Sequence, residues 1–402
     1  MKLKQGCSIY SDYGLNISAD EYSDSGVPII RTSDVDNSGA LDLSNTKFVE
    51  PRFVGTKRLQ KGDVLFSRSG TIGRAMVFDA NVDATYAAYL VRFRPHPKRL
   101  LSKFIGYWAQ SADYWSQIGA DTIQSTIGNF NANKFANLSI PEHDLATQRQ
   151  IADFLDRETA RIDLLIEKKQ HLLESVGLRI EAMVHWARDH GDWRRFGVCS
   201  RSIQRPIEEG PSTRYSPLGL FNRGRGFFQK TESDFDELGD SSFFFVRTGD
   251  LVFSGQFAWE GAVGLVSDAE DGCVVSHRYP VYVGHNGVLS EYLFAYFRSH
   301  HGQFLMDNCS RGAAGRNRPL NTRILEKEKI AVPDLRLQKR VAEFVVFERS
   351  LKQKIAPSID RLKEYRSALI TASVTGQIDV SEHSKSGATD RRLDALEDQV
   401  GA

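Results

Sequence analysis

The sequence predicts an α+β protein in which two similar α/β domains are joined by two long antiparallel coiled-coil helices. The domains are expected to be a tandem duplication related by a pseudo-twofold axis. Three observations predict this fold. One phrase, Gly-Asp followed by an apolar strand, occurs twice, about half the chain apart. The phrases around it recur in the same order, and a long segment with heptad periodicity follows each copy.

The repeated phrase is GDVLFSRSG at 62–70 and GDLVFSGQF at 249–257. In both copies a glycine turn, a short strand, a β-rich run and an amphipathic helix opened by Leu-Ser follow it, which makes Ser102 and Ser290 the expected helix N-caps. Each copy closes on an apolar strand, a proline and a glutamine that opens a long helix. Because the matches keep their order, coincidence does not explain them, and the sequence is interpreted as a duplication.

The segments that follow the two copies have the pattern of a coiled coil. Residues 145–187 contain no proline, and at about 1.5 Å per residue they would extend roughly 65 Å. Residues 336–374 repeat the pattern, with Pro357 expected to kink or split the helix. Two ordinary core helices are the alternative. The apolar residues expected to pack between the helices are Leu155, Ile162, Leu165, Leu172, Val176, Phe344, Leu351, Ile355, Leu362 and Leu369.

The repeat and the helices divide the chain into five parts. A first domain is predicted over 1–143 and a spacer helix over 144–190. A second domain is predicted over 191–334 and a second spacer helix over 335–378. Residues 379–402 are polar and are expected to be disordered.

Composition argues against several classes of protein. The chain has 52 basic and 51 acidic residues, so DNA binding would need basic side chains sorted onto one face, or help from a partner. No apolar run is long enough to span a membrane, and the N-terminus lacks the apolar core of a signal peptide, which indicates a cytoplasmic protein. The four cysteines show no CxxC spacing, so structural zinc and disulfides are not expected.

Signatures of catalysis are missing from the sequence. No glycine is followed by lysine, which excludes a P-loop, and GxGxxG, HExxH and GxSxG are absent. The Asn/Asp-Pro-Pro-aromatic signature of amino-methyltransferases is also absent. The two histidines of HWARDH, residues 185–190, are off the four-residue spacing of a metal pair. The sequence therefore predicts a chain with no catalytic residue, no metal site and no cofactor of its own.

Two phrases resemble the specificity subunits of bacterial type I restriction-modification systems. They are IPEHDLATQRQIADFLDRETARIDLLIEK at 140–168 and LKEYRSALITASVTGQIDV at 362–380, and the resemblance extends over the chain up to the tail that begins at Ser381. The sequence departs from the family just before the helix-opening glutamines. The family often has Glu there, and this chain has Thr147 and Leu337.

The resemblance implies a reason for the duplication. Each copy would be a target-recognition domain that reads half of a bipartite site in double-stranded DNA. The helices would set the gap between the halves and dock two methyltransferase (M) subunits, which restriction/motor (R) subunits join. S-adenosylmethionine, ATP and Mg²⁺ would belong to those partner subunits. The resemblance also implies a bacterial or archaeal cytoplasmic protein with no membrane partner.

Candidate DNA contacts in the first copy lie in two polar loops. Glycines in such loops let the backbone approach a phosphate, arginine can pair with guanine, and asparagine or glutamine can pair with adenine. An ordinary solvated loop is the alternative for each. The candidates are Arg68, Ser69, Thr71, Arg74, Gln124, Ser125, Asn129, Asn131, Asn133 and Lys134.

Candidate contacts in the second copy are more basic. The stretch SRGAAGRNRPLNTR at 310–323 has four arginines after its first and no acid, which favours DNA over a random loop. Nearby Phe227, Phe228 and Trp259 are as compatible with a core as with bases. The candidates are Arg223, Arg225, Lys230, Gln256, Arg311, Arg316, Asn317, Arg318, Asn321 and Arg323.

Two other functions stay open at this point. A non-catalytic coiled-coil adaptor would bind proteins through its two globular ends, and it would tend to expose apolar patches instead of Arg/Asn/Gln loops. An enzyme of an unrecognised type would need a pocket in which acid and base groups converge.

Overall fold

The computed structural model describes residues 1–35, 39, 41–123, 130–208, 214–239, 241–310 and 318–401. The chain forms two compact units. The first comprises residues 1–169 and 355–402, and the second comprises residues 170–354. The candidates Gln124, Ser125, Asn129, Arg311, Arg316 and Asn317 lie outside the described residues.

In the described residues of 1–169, the first unit contains seven strands, four short helices and the start of a long helix. The strands are β1 (Cys7–Tyr13), β2 (Val27–Ile30), β3 (Lys47–Val49), β4 (Val64–Ser67), β5 (Ala75–Val77), β6 (Thr85–Tyr86) and β7 (Leu90–Pro95). The helices are α1 (Pro51–Val54), α2 (Ser102–Trp108), α3 (Ala112–Ile123), α4 (Ala132–Asn137) and α5 (Leu145–His190). An antiparallel sheet has the order β1-β7-β4-β5, and a smaller sheet has the order β3-β2-β6.

The second unit contains ten strands, four helices and the start of a second long helix. The strands are β8 (Asp192–Arg195), β9 (Ser200–Ser202), β10 (Leu218–Leu220), β11 (Phe227–Gln229), β12 (Phe243–Phe245), β13 (Leu251–Phe253), β14 (Val263–Leu265), β15 (Val274–Ser276), β16 (Val281–Gly284) and β17 (Lys329–Val332). The helices are α6 (Phe196–Cys199), α7 (Ser290–Arg298), α8 (His300–Asn308), α9 (Thr322–Leu325) and α10 (Leu335–Val374).

The main sheets of the two units have the same topology, which confirms the predicted duplication. The sheet of the second unit has the order β9-β16-β13-β14 and is antiparallel throughout. In chain position these strands correspond to β1, β7, β4 and β5, in the same spatial order. In each unit a helix packs on this sheet and completes an aromatic core, through Trp108 in α2 and Phe297 in α7.

The repeated Gly-Asp phrase forms the turn that starts the central strand of each main sheet. Gly62 and Gly249 have φ values of 90° and 88°, a left-handed region that glycine enters without steric cost. The aspartate that follows, Asp63 or Asp250, is buried and accepts a hydrogen bond of 2.8 Å from the backbone N–H three residues before it. The phrase recurs because the turn needs both residue types, and its role is structural.

The guanidinium that neutralises this buried aspartate comes from a different segment of the chain in each unit. Arg94, at the end of β7, pairs with Asp63 at 2.6 Å. Arg205, which follows β9, pairs with Asp250 at 2.6 Å. A buried carboxylate requires a charged or hydrogen-bonding partner, and the two copies have kept the requirement while changing the residue that meets it.

A buried glutamine joins each long helix to the helix that packs on the sheet. Gln148 accepts a hydrogen bond from the backbone N–H of Leu101 at 2.8 Å, and Gln338 accepts one from Leu289 at 3.0 Å. Each amide also donates to two backbone carbonyls. These bonds satisfy groups at the start of α2 and α7, where helices leave N–H groups unpaired.

The expected serine N-caps are wrong. Ser102 and Ser290 are the first helical residues, and the preceding leucines occupy the N-cap positions with no side-chain cap. The glutamine of the long helix takes over the role, because its Oε1 reaches the leucine N–H. The hydroxyl of Ser290 instead accepts a hydrogen bond from the N–H of Gly284 at 2.9 Å.

The two long helices are close to their predicted bounds of 145–187 and 336–374. Pro357 lies inside α10 without splitting it. Within each unit the segments of α5 and α10 run antiparallel. In the first unit Asp163 pairs with Arg366 at 2.9 Å, while His143, before α5 begins, bonds to the carbonyl of Val374. No helix in the described parts of the chain is long and apolar enough to cross a bilayer.

Most of the predicted helix-packing residues are in the cores, and one is not. Leu155, Ile162, Val176, Ile355, Leu362 and Leu369 are buried, and Leu165, Phe344 and Leu351 are partly buried against the cores. Leu172 is 46% exposed, so its predicted place in the seam is wrong. Four residues later, Val176 is buried, which puts the contact on a neighbouring stripe of the helix.

The tail also differs from its prediction as a disordered segment. It forms α11 (Val380–Lys385) and α12 (Ala388–Gly401). Asp379 caps α11 by accepting hydrogen bonds from two backbone N–H groups, at 2.9 and 3.2 Å. Val380, Leu393 and Leu396 are buried in the core of the first unit, and Asp390 forms an ion pair with Arg161 of α5. A few apolar residues at helical spacing suffice to dock a mostly polar segment.

Candidate nucleic-acid interface

Two of the predicted loops meet at one end of the main sheet in the first unit. Residues 68–74 connect β4 to β5, and the carbonyl of Arg68 accepts a hydrogen bond of 3.1 Å from the backbone N–H of Phe130. Phe130 is the first described residue after the second predicted loop, residues 124–129. The described candidates of the two stretches, Arg68 to Arg74 and Asn131 to Lys134, therefore belong to one surface although they are far apart in the chain.

The second unit repeats this connection. The carbonyl of Gly255, which directly follows the Ser254 that corresponds to Ser67, accepts a hydrogen bond of 2.8 Å from the backbone N–H of Leu320. Leu320 lies two residues after Arg318, which is the first residue that the structure describes after 311–317. The same backbone bond thus brings the corresponding pair of loops together in both units.

Tyrosines surround Arg68 on the surface of the first unit. The guanidinium of Arg68 lies 4.9 Å from the centre of the Tyr13 ring, and its backbone N–H donates to the carbonyl of Tyr89 at 2.9 Å. The hydroxyl of Tyr13 accepts a hydrogen bond from the N–H of Ala132 at 3.0 Å. Tyr10, Tyr13 and Tyr89 are 52%, 37% and 62% exposed. Aromatic and guanidinium groups of this kind can pack on sugars and bases.

Of the remaining candidates in loop 68–74, one points outward and two help to hold the loop. Thr71 is exposed at the tip. The carbonyl of Ser69 accepts a hydrogen bond from the Ser67 hydroxyl at 3.0 Å. Arg74 donates to the carbonyl of Val35 at 2.7 Å, which ties the end of the loop to another part of the unit.

The described candidates after residue 129 form the first turn of α4. Asn131 caps this helix, because its side chain accepts a hydrogen bond from the backbone N–H of Lys134 at 3.0 Å. Asn133 is exposed, and the ammonium group of Lys134 lies 5.5 Å from the Phe130 ring centre. Gln117, Asn133, Lys134 and Asn137 contribute to the lining of a polar groove beside the cap.

Asparagine also caps the corresponding helix of the second unit. Asn321 accepts a hydrogen bond from the N–H of Ile324 at 3.1 Å, and Arg323 is exposed in the turn that this cap starts. The pairing of asparagine with adenine, predicted for Asn131 and Asn321, competes with this capping role. An asparagine before a short apolar helix is a known cap signal, and it was visible in both copies of the sequence.

Arg318 has protein partners on three sides. It forms an ion pair with Asp307 at 2.6 Å and donates from Nε to the carbonyl of Ser310 at 3.2 Å. Its guanidinium lies 5.1 Å from the Trp259 ring centre, and Trp259 donates to the carbonyl of Gln256 at 3.1 Å. Arg318 therefore connects the two loops of the second unit, while the Gln256 side chain is exposed.

A third loop, residues 221–226, joins this surface in the second unit. Arg223 and Gly224 donate backbone hydrogen bonds of 3.0 and 2.8 Å to the carbonyls of Glu260 and Gly261. Arg225 donates from Nε to the carbonyl of Asn222 at 3.0 Å. The side chains of Arg223, Arg225 and Lys230 are exposed. Of the aromatic residues nearby, Phe227 is partly buried against a core cluster and Phe228 is exposed.

The N-terminal part of the chain matches a known protein family. Residues 1–174 match the family model described as the type I restriction modification DNA specificity domain. Over these residues the chain is similar to that DNA specificity domain. The family resemblance stated from the sequence is thereby confirmed.

Specificity subunits of type I restriction enzymes match over different shares of the chain. The type I restriction enzyme EcoKI specificity subunit of Escherichia coli strain K12 is 20% identical over 417 residues, which cover 94% of this chain and 87% of that protein. The StySPI specificity subunit of Salmonella potsdam is 25% identical over 166 residues, or 40% of this chain and 35% of that protein.

Solved structures of the family share the fold. A chain from a structure of the type I R-M system, solved to explain complex assembly and conformational transition, superposes with a TM-score of 0.61 at 14% identity, covering 94% of this chain and 97% of that chain. The S subunit from M. genitalium superposes with a TM-score of 0.50 at 13% identity, covering 93% and 95%.

A buried charge network under the tyrosine surface was not predicted from the sequence. Arg92, which is buried in β7, donates to Asp12 at 2.5 Å, and Tyr86 donates to the same carboxylate at 2.7 Å. Burial opposes ionisation of Asp12, but the hydrogen bonds from Lys57 and Tyr86 and the charge of Arg92 lower its pKa. Burial and the bond to Asp12 raise the pKa of Tyr86. The network fixes β1 directly beside Tyr13.

Among the residues that the structure describes, no group of three or more His, Cys, Asp and Glu side chains lies close enough together to hold a metal ion. The one partly exposed cysteine, Cys7, is a poor nucleophile because burial raises the pKa of its thiol to about 12. Chemistry on this surface is that of hydrogen bonding, charge and stacking.

Proposed function

We propose that this chain is the DNA-recognition subunit of a type I restriction-modification enzyme. Each unit reads one half of a bipartite site in double-stranded DNA. The long helices set the gap between the halves and dock two M subunits, with which R subunits assemble. The observation that carries the proposal is the backbone bond, Phe130 to Arg68 and Leu320 to Gly255, that brings corresponding polar loops together in both units.

The chemistry of these loops supports DNA as the ligand. Exposed side chains on the surface include Thr71 and Asn133 in the first unit and Arg223, Arg225 and Arg323 in the second. Hydroxyl, amide and guanidinium groups are the ones that read base edges in the major groove and bind phosphates. The surface of each unit also adds exposed aromatic rings, Tyr89 and Phe257 among them.

The long helices support docking of protein partners. Leu164, Leu172 and Leu178 of α5 and Val346 and Phe347 of α10 are exposed, with side chains between 46% and 62% accessible. Exposed apolar side chains on a surface mark protein contact sites. The adaptor alternative would instead bind proteins through the two globular ends, and it gives no role to the basic loops there.

The proposal assigns no catalysis to this chain. Methyl transfer, ATP hydrolysis and DNA cleavage would occur on the partner subunits, which would hold S-adenosylmethionine, ATP and Mg²⁺. Such a complex acts on chromosomal and invading DNA, which places it in the cytoplasm.

The proposal is tested by mapping methylated bases across the genome in cells with and without the gene for this chain. The expected result is methylation at one bipartite motif that disappears when the gene is deleted and returns when it is restored. An unchanged methylation map, in cells whose methyltransferase subunit is present, would contradict the proposal.

A further inference from the structure

Arg223 has a backbone conformation that arginine rarely adopts. Its φ is 58°, in the left-handed region, where a side chain Cβ crowds the following carbonyl oxygen. Gly224 and Gly226, in the same loop, have φ values of 60° and 98° and enter this region without cost. Glycine or asparagine would fit position 223 with less strain. An arginine kept there against its conformational preference indicates a function for its side chain.

The surroundings of the loop impose this conformation. The N–H groups of Arg223 and Gly224 donate to the carbonyls of Glu260 and Gly261 at 3.0 and 2.8 Å, so the strained residue is bonded on both sides. The side chain of Asn222 is hydrogen-bonded to the Glu260 carboxylate. Three consecutive residues of the loop are therefore attached to the loop of residues 255–261.

Close packing against the Arg298 side chain of α7 also fixes this loop. A Cβ at Gly224 would lie 2.6 Å from Cγ of Arg298, so the backbone rests directly on that side chain. Arg298 forms an ion pair of 2.5 Å with Glu348, which is buried in α10. A residue anchored in this way presents its side chain in a fixed direction at little further entropy cost.

The neighbouring arginines are engaged by the protein itself. Arg318 is paired with Asp307 and stacked on Trp259. Arg225 is bonded to the carbonyl of Asn222, and its guanidinium lies 5.1 Å from the Phe221 ring centre. The side chain of Arg223 is exposed, and its guanidinium has no hydrogen-bond or ion-pair partner among the residues that the structure describes.

We propose that Arg223 is the specificity-determining residue of this surface, and that its guanidinium donates two hydrogen bonds to O6 and N7 of a guanine in the second half-site. The inference rests on the proposed function. A phosphate contact needs only a positive charge, which a flexible side chain supplies as well. Base reading needs two donors in a fixed mutual geometry, which the planar guanidinium has and an ammonium group lacks. Arg225 and Arg318 are positioning residues in this arrangement.

The test uses the assembled enzyme and a library of DNA sites varied across both half-sites, with Arg223→Gly, Arg223→Lys, Arg225→Ala and Arg201→Ala. Arg223→Gly relieves the backbone conformation, so its thermal midpoint should equal or exceed that of the unaltered chain. Discrimination at one G·C pair of the second half-site should fall roughly 5- to 150-fold. Arg223→Lys keeps the charge and should lose the same discrimination with the same salt dependence of binding. Arg225→Ala alters a positioning residue and should weaken that discrimination less than Arg223→Gly does. The matched control is Arg201→Ala, at an exposed arginine of β9 outside these loops, which should leave the base preference in place.

Retained discrimination in Arg223→Gly would overturn the inference. A loss spread evenly over all positions, with a lower thermal midpoint, would do the same, because it would indicate a structural role. The proposed function has a separate readout. If the unaltered assembled enzyme shows no sequence preference in the library, the proposed function itself is wrong.

Discussion

The guanidinium of Arg68 lies 4.9 Å from the centre of the Tyr13 ring, whose hydroxyl accepts a hydrogen bond from the first turn of α4. One tyrosine on β1 therefore supports both loops of the first unit. This relationship makes Tyr13 a positioning residue for the surface that the first half-site would contact.

Replacing Tyr13 should relax the first half-site and leave the second unchanged. Tyr13→Ala removes the ring beneath Arg68 and the acceptor for the Ala132 N–H, and a cation–π contact on an exposed site contributes about 0.5 to 1 kcal/mol. Tyr13→Phe keeps the ring and should have the smaller effect. Methylation of a randomised site library by the assembled enzyme measures both. Equal relaxation of the two half-sites would argue against independent readers.

Each buried glutamine should stabilise its own unit. Gln148→Leu leaves the Leu101 N–H and two carbonyls without partners, and a buried unsatisfied polar group costs about 1 to 3 kcal/mol. Gln338→Leu should act in the same way on the second unit. Hydrogen exchange of the amides in each unit would show faster opening in the altered unit alone. Gln150→Leu is the control, since Gln150 is exposed two positions away on the same helix.

Acid should destabilise the first unit partly through Asp12. The folded-state pKa of this carboxyl lies below its ordinary value of 3.8. Burial alone would raise the pKa, but the hydrogen bonds from Lys57 and Tyr86 and the charge of Arg92 lower it by more. A lowered folded-state pKa gives stability that is present above pH 3.8 and is lost as the pH falls through the folded-state pKa. The unfolding free energy should therefore fall less steeply between about pH 5 and lower pH in Asp12→Asn than in the unaltered chain. A parallel pH dependence in the two proteins would assign the effect to other groups.

The long helices should determine the tolerated gap between half-sites. Matched four-residue insertions into α5 and α10 shift the heptad phase and turn the two readers relative to the DNA, which completes a turn in about 34 to 36 Å. The preferred gap should change, while the base preference of each half-site stays the same. Seven-residue insertions keep the heptad phase but add about 10 Å of length, so they separate the effect of length from that of rotation. Methylation of libraries with variable gaps would show the change, and an unaltered gap preference would contradict the spacer role.

Much of the architecture could be predicted because its signals are local. Heptad spacing gave α5 and α10 nearly to their ends, and ordered repeats gave the shared sheet topology. Contacts between distant positions could not be predicted in this way. Nothing near Asp250 in the sequence points to Arg205 as its partner, because the first copy draws its guanidinium from Arg94, on another strand.

The errors have physical reasons of the same kind. Ser102 has the residue type of a cap, but Gln148 reaches the N–H group from another helix. Leu172 continues the apolar pattern of α5 and yet faces solvent, since periodicity identifies a stripe and not what covers it. Leu393 was not predicted to be buried, because residues 379–402 are polar on average although they contain a few leucines at helical spacing. For the candidate surface the sequence indicated polar loops, but Asn133 and Lys134 lie in α4 and Arg323 lies in α9. The partners of Arg318 required the structure.

The bond between Phe130 and Arg68, and its counterpart between Leu320 and Gly255, has an evolutionary consequence. Both are formed by backbone groups, so they are indifferent to the side chains at those positions. Arginine in one copy and glycine in the other support the same attachment. Mutations can therefore exchange the residues that face the ligand while the scaffold keeps its stability. New recognition can arise by substitution in one copy at a time, without a compensating change elsewhere in the chain.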